Sequence, residues 1–342
     1  MPPHGPDLRG HARRSAGMST RSCAGAAVAA FALAAPVAPA AADGLPLPVE
    51  DSPSGVLSLD GSSRYLSITL GDRTAVLAQN ASGGAVTSRT ELRGRFTIPL
   101  VAYDSTGGGI SGDGHTLVLI RPRRSFPRRD TTFAVLSAAP RLRLRRVVRL
   151  HGDFSYDALS PDGRTLFLIN YISPADPRRY RVRAYDLVRG RLDPRPIVDP
   201  REPPDEMNGL PLARVSSPHG RWAFTLYDGE RPFIHALDTR DRKAVCIDLE
   251  GAVFRGVGAH ELGIAIAGGD RLDVRRNGGL IASVDTATFR VGAPAAPRTR
   301  ELGRGADTGS AAGLLLWPAL GVVLVAAALL VRRVARRHPL AP

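Results

Sequence analysis

An all-β fold, a β-propeller of five blades with six as the alternative, is what this sequence predicts, and three observations carry it. A turn of one kind recurs at Ser58-Leu59-Asp60-Gly61, Ser111-Gly112-Asp113-Gly114, Ser160-Pro161-Asp162-Gly163 and Ser217-Pro218-His219-Gly220, at spacings of 53, 49 and 57 residues. Each turn leads into an apolar strand: YLSITL from Tyr65, TLVLI from Thr116, TLFLI from Thr165 and WAFTL from Trp222. A second strand ending in a polar corner follows, as in TTFAVLS from Thr131, YRVRAYDL from Tyr180 and PFIHALDT from Pro232. Units of about 50 residues with three or four short strands are the mark of propeller blades. A two-sheet β-sandwich built from the same strands is the competing architecture.

In chain order, residues 1–42 read as a secretory signal peptide. Arg9, Arg13, Arg14 and Arg21 precede a small and apolar run over 24–37, and Ala38-Pro39-Ala40 and Ala40-Ala41-Ala42 offer small-residue cleavage sites. Met1 and Met18 are both candidate starts, the second leaving a shorter basic region. Cys23 lies before the apolar run, where a lipoprotein anchor does not sit. With that leader removed, Cys246 is the one cysteine left, so an intramolecular disulfide is not expected.

Residues 43–291 hold the repeats. In Ser160-Pro161-Asp162-Gly163 the proline presets φ, the aspartate caps the turn and the glycine accepts positive φ. The strand that leaves it is apolar on both faces at Leu166, Phe167, Leu168 and Ile169, so sheets are expected above and below it. A fifth, degenerate unit runs through GIAIAGGDRLDV (263–274) and IASVDTATFRV (281–291). SPDGRTLFLI and SPHGRWAFTLY resemble the WD-like repeats of TolB-type propellers, and HALDT and SVDTATFRV are similar to the corner of YVTN-type surface propellers. The resemblance spans 55–291 and implies a fold; such repeats serve binding, scaffolding and enzymatic roles alike. His219 in place of the turn aspartate, and the absent serine of the fifth unit, are its departures.

Residues 292–310 are rich in Pro, Gly and Ala and read as a flexible linker. Residues 311–331 carry no charge and are long enough to cross a hydrocarbon core as one transmembrane helix. Arg332, Arg333, Arg336 and Arg337 follow in the 332–342 tail, and positive charge beside a span stays cytoplasmic. The propeller is therefore expected outside a single-pass cell membrane. Ala306-Asp307-Thr308-Gly309 is similar to a sortase signal, with Gly305 where its leucine should stand, so cell-wall anchoring is the alternative.

The leader and the tail account for half of the net charge of +14, and export argues against nucleic acid as a partner. The remaining basic residues gather in loops expected on one propeller face: 121–130, 173–179 and 228–232. They bring Arg124, Arg128, Arg129, Arg178, Arg179 and Arg231 to a common rim. Guanidinium forks suit the carboxylates and phosphates of an anionic envelope polymer or an envelope protein. Asp104, Asp157 and Arg214 stand at similar distances before repeat turns and are the candidates for the central channel. Catalytic constellations are missing. His260-Glu261 lacks the second zinc histidine, since 264 is Ile, and Ser111 belongs to a repeat turn. The remaining histidines have no ligand spacing, so neither a metal nor a cofactor is expected. A surface-anchored binding or scaffold module is the leading function. An extracytoplasmic hydrolase or lyase with a channel site and a membrane sensor component are the alternatives.

Overall fold

The computed structural model describes residues 52, 54–202, 207–268 and 270–294. The leader, the linker beyond 294, the membrane span and the sortase-like signal lie outside the described residues. No helix of the described residues is long and apolar enough to cross a membrane.

Strands follow one another as antiparallel meanders, five sheets in chain order. The first holds β1 (Val56–Leu57), β2 (Ser63–Leu70), β3 (Arg73–Asn80) and β4 (Val86–Arg93). The second holds β5 (Thr116–Ile120), β6 (Asp130–Ser137) and β7 (Arg143–His151). Its inner position is taken by residues 109–111, through the Val118 amide on the Gly109 carbonyl at 2.7 Å and the Ser111 amide on the Thr116 carbonyl at 2.9 Å. The third runs β8 (Phe154–Leu159), β9 (Thr165–Tyr171), β10 (Arg179–Asp186) and β11 (Arg191–Leu192), and β12 (Met207–Asn208) also pairs with β10. The fourth is β13 (Pro211–Ser216), β14 (Trp222–Tyr227), β15 (Phe233–Asp238) and β16 (Lys243–Asp248). The fifth is β17 (Leu262–Ile266), β18 (Arg271–Arg276), β19 (Gly279–Asp285) and β20 (Val291–Gly292). Five successive meanders are the order of propeller blades and not of a sandwich, which would divide the same strands between two sheets. The degenerate fifth unit makes a complete sheet.

Alternation along each strand explains the packing. Successive side chains point to opposite faces. Leu117 and Leu119 therefore join Tyr65 and Val76 of the first sheet, while Val118 and Ile120 join Phe154 and Leu166 of the third. Phe167 and Val182 of the third sheet meet Ala223 and Leu237 of the fourth. Phe224 and Leu226 then meet Leu272 and Val274 of the fifth. Four apolar clusters thus join five sheets in a row, and none of the four unites the fifth sheet with the first. The reason lies in the two faces that would have to meet. Ile68 and Leu70 alternate away from Tyr65 and are each 45% exposed. The fifth sheet turns Arg271, Asp273 and Arg275 away from Leu272 and Val274, with Asp273 held 3.2 Å from each arginine. An apolar face opposite a charged one gives no shared core.

The recurring turns share one hydrogen-bond scheme. The glycine amide reaches the serine carbonyl at 2.8 Å in the first turn and 2.9 Å in the other three. In the first three the serine hydroxyl donates to the turn aspartate, at 2.5 Å from Ser58 and Ser111 and 2.6 Å from Ser160. His219 cannot accept in that way, and its φ of +70° sets the fourth turn apart.

Candidate functional site

The turns define one face of the molecule, here the turn face, and the loops after the second strand of each sheet define the opposite, rim face. Between them the axis is filled. On the turn face the tips meet: the Asp113 amide donates to the Pro161 carbonyl at 2.8 Å. A Cβ on Gly112 would stand 2.4 Å from the His219 carbonyl oxygen, so only glycine fits this junction. On the rim face the segment between the first and second sheets crosses over. The Tyr103 and Asp104 amides donate to the Pro211 and Leu212 carbonyls at 2.9 Å. The concavity left there is about 40 Å³, aromatic-lined by Tyr156, Tyr171, Tyr180 and Tyr227, with room for about one water.

The three channel residues come together as a structural knot. Arg214 is 6% exposed and Asp157 5%. The Arg214 guanidinium is bound by the Asp157 carboxylate, by the Asp157 carbonyl at 2.8 Å and by Thr225 Oγ1 at 2.8 Å. The Arg214 amide donates to Asp104 Oδ2 at 3.0 Å. Burial alone would lower the guanidinium pKa. The Asp157 charge and hydrogen bond, together with Tyr227 and Tyr156, outweigh it, and the pKa ends above its ordinary value. Nε and Nη2 of Arg214 point at protein, and the residue ties the third and fourth sheets to the segment between the first and second.

The arginine rim is largely occupied by the protein itself. Arg128 turns inward: its amide donates to Asp153 Oδ2 at 2.9 Å, Nε to Thr131 Oγ1 at 2.9 Å, and Nη2 to the Phe154 carbonyl. Arg123 pairs with the same Asp153, whose buried carboxylate needs countercharge. Arg178 stands 3.9 Å from Asp228, and Arg231 is 2.5 Å from Glu250. Arg124, Arg129 and Arg179 are exposed. A hollow of about 760 Å³ at this face is lined by Arg121, Arg124 and Arg128 together with Asp72 and Asp130.

The turn face carries the larger concavity, a groove of about 1200 Å³ across the third, fourth and fifth sheets. Its floor is Trp222 with Phe289 edge-on at 5.1 Å, and Phe224 stacked at 6.1 Å. Two of its arginines are paired, Arg189 with Asp186 at 3.0 Å and Arg221 with Asp238 at 2.8 Å. Arg164, Arg240 and Arg242 are exposed, and among the described residues none has an acidic partner within ion-pair distance. Arg242 donates to Thr165 Oγ1 at 3.0 Å. Sequence reasoning missed these three. A partial signal exists for Arg164: in two of the four turns an arginine directly follows the turn glycine, as Gly163-Arg164 and Gly220-Arg221.

No family model and no curated protein matches the sequence. Solved structures resemble the fold. TolB from Acinetobacter baumannii is 13% identical over 71% of this chain and 54% of its own, with a TM-score of 0.37. The β-propeller domain of Cps50 (Swd1) from Myceliophteria thermophila is 11% identical over 67% of this chain and 65% of its own, with a TM-score of 0.40. Protein lmo1340 from Listeria monocytogenes is 10% identical over 73% of this chain and 95% of its own, with a TM-score of 0.32. The chain thus spans about half the length of TolB. At such identities and overlaps the likeness concerns the fold alone, and the propeller assignment rests on the sheet order.

Proposed function

We propose that this chain, a β-propeller of WD-like repeats, is a binding or scaffold module that takes an anionic ligand in the groove of the turn face. One observation carries the reading: Arg164, Arg240 and Arg242, none of them in an ion pair among the described residues, converge on a groove of about 1200 Å³. Planar guanidinium forks at the protein surface suit phosphate and carboxylate groups. The filled axis favours binding over turnover, since the Arg214 guanidinium and Asp157 carboxylate there are buried and paired with each other. The five sheets are read as five blades. The basic leader, the uncharged 311–331 stretch and the arginines after it support an extracytoplasmic domain on a single membrane span. An anionic envelope polymer or an envelope protein is then the ligand within reach, with sortase anchoring through 306–309 as the alternative tether.

The test is a pull-down of the full chain, in detergent, on isolated cell wall, anionic lipid vesicles and solubilised envelope proteins across a salt titration. Exposed charge pairs are screened by salt, so retention should fall as salt rises. The triple variant Arg164→Ser, Arg240→Ser, Arg242→Ser should weaken retention at least about 10-fold, as expected for loss of three charge-assisted contacts. Replacing Arg124, Arg129 and Arg179 by Ser should leave it within about 2-fold. The reverse pattern would move the ligand to the rim face, and retention indifferent to both sets would sink the reading.

A further inference from the structure

A second concavity, independent of the groove, opens at the rim end of the interface between the third and fourth sheets. Its volume is about 450 Å³. His235 on β15 and Cys246 on β16 line it, and they are directly opposed Cα partners in the sheet. Directly opposed side chains stand within about 5 Å at Cβ, close enough to share one ligand. Met207 lines the pocket from β12, the strand paired with β10 of the third sheet. A thiol, an imidazole and a thioether from two sheets therefore face one space.

His235 is 2% exposed, and its Nε2 has no hydrogen-bond partner. Burial holds its pKa down at about 4. Buried polar atoms without partners are rare and mark a missing companion. Cys246 is the free cysteine of the described residues. Its thiol is pushed up to about 12, first by burial and then by Asp199, Glu202 and Asp248. Asp199, Glu202, Glu230 and Asp248 line the pocket with Arg231, so its lining is net acidic and favours a cation. Their effect is local, because the whole chain carries +14. Among the described residues no three of His, Cys, Asp and Glu gather as a cage for a harder metal, and the third donor here is sulfur.

We propose that Cys246, His235 and Met207 form a binding site for a soft monovalent metal ion, of which Cu(I) is the biological case. Thiolate and thioether donors select Cu(I), and imidazole accepts it. Binding forms a metal–sulfur bond at Cys246 and breaks its S–H bond, releasing the proton to solvent. No change of oxidation state is involved, and affinity rises with pH because a proton is displaced.

The experiment titrates Cu(I) under argon into the full chain in detergent, against a chromophoric Cu(I) chelator, in a Cys23→Ser background that leaves one thiol. One equivalent should bind and should protect Cys246 from alkylation. Cys246→Ser should weaken binding at least about 100-fold and Met207→Leu about 10-fold, the ordinary range for losing a soft donor or its support. Near-UV circular dichroism of both variants should match the parent, which separates lost binding from lost folding. Binding that survives Cys246→Ser, Met207→Leu indistinguishable from the parent, or Zn(II) bound as tightly as Cu(I) would each overturn the assignment.

Discussion

Arg214 shows how much one side chain can organise. It sits 6% exposed between the third and fourth sheets, with Asp157, Thr225 and Asp104 around it. Its carboxylate partner Asp157 keeps one oxygen, Oδ2, without a hydrogen bond. The knot is therefore not over-supplied with donors, and removing the arginine strands a buried charge. Arg214→Met should cost about 3–5 kcal/mol, because breaking one side of a buried pair leaves the other uncompensated. Urea unfolding of the variant measures it. The double change Arg214→Met with Asp157→Leu should recover part of the loss, since no lone charge then remains buried. A single variant of unchanged stability would show that water enters the site. The sequence placed Asp104, Asp157 and Arg214 near the axis from their distance to the turns. It could not say that they bind each other instead of a ligand.

At the scale of the element, the turn serine is what makes each unit close. Ser160 Oγ accepts the Arg164 amide at 3.1 Å and the Thr165 amide at 2.9 Å while donating to Asp162. Ser217 Oγ has a lighter task, accepting the Trp222 amide at 2.9 Å with no aspartate beside it. Thr165 is buried, so losing Ser160 leaves its amide unpaired away from water. Ser160→Ala should cost about 1–3 kcal/mol and Ser217→Ala at most about 1 kcal/mol, the range for stranded against ordinary hydrogen bonds. Thermal or urea melts of the pair check the order, and equal losses would mean that the hydroxyl bonds do not decide turn stability. The Ser-x-Asp-Gly spacing was legible because all its partners lie within five residues. The fourth turn was legible as a departure too, although the positive φ of His219 was not.

The whole molecule is a row of sheets joined by four apolar clusters, with a seam between the fifth sheet and the first. Leu117 is fully buried in the cluster of the first two sheets. Ile68, on the other face of the first sheet, is 45% exposed. Leu117→Ala should therefore cost about 2–5 kcal/mol, as for other large-to-small core changes. Ile68→Thr should cost less than about 1 kcal/mol, as for a surface position. Hydrogen exchange should find the amides of β2 and β18 less protected than those of β9, because local opening starts where packing is thinnest. A loss at Ile68 as large as at Leu117 would show the seam sealed in solution. The groove and the soft-metal pocket rest on the third, fourth and fifth sheets, and the first sheet contributes to neither.

While β3 and β4 went unread, the sequence by itself determined the all-β class, most of the strands, the recurring turns and the uncharged and basic character of the terminal segments. All of these follow from side-chain alternation and turn chemistry, which act over two to five residues. The free arginines were decided by the tertiary structure alone. A guanidinium finds its partner through space: Arg128 finds Asp153 at a separation of 25 residues, and Arg214 finds Asp157 at 57. Charge counted along the chain therefore pointed to a rim where Arg128, Arg178 and Arg231 have acidic partners while Arg124, Arg129 and Arg179 stay exposed. The same fold left the Arg164, Arg240 and Arg242 guanidinium groups on the other face without an ion pair among the described residues, although Asp162, Asp186 and Asp270 line the same groove.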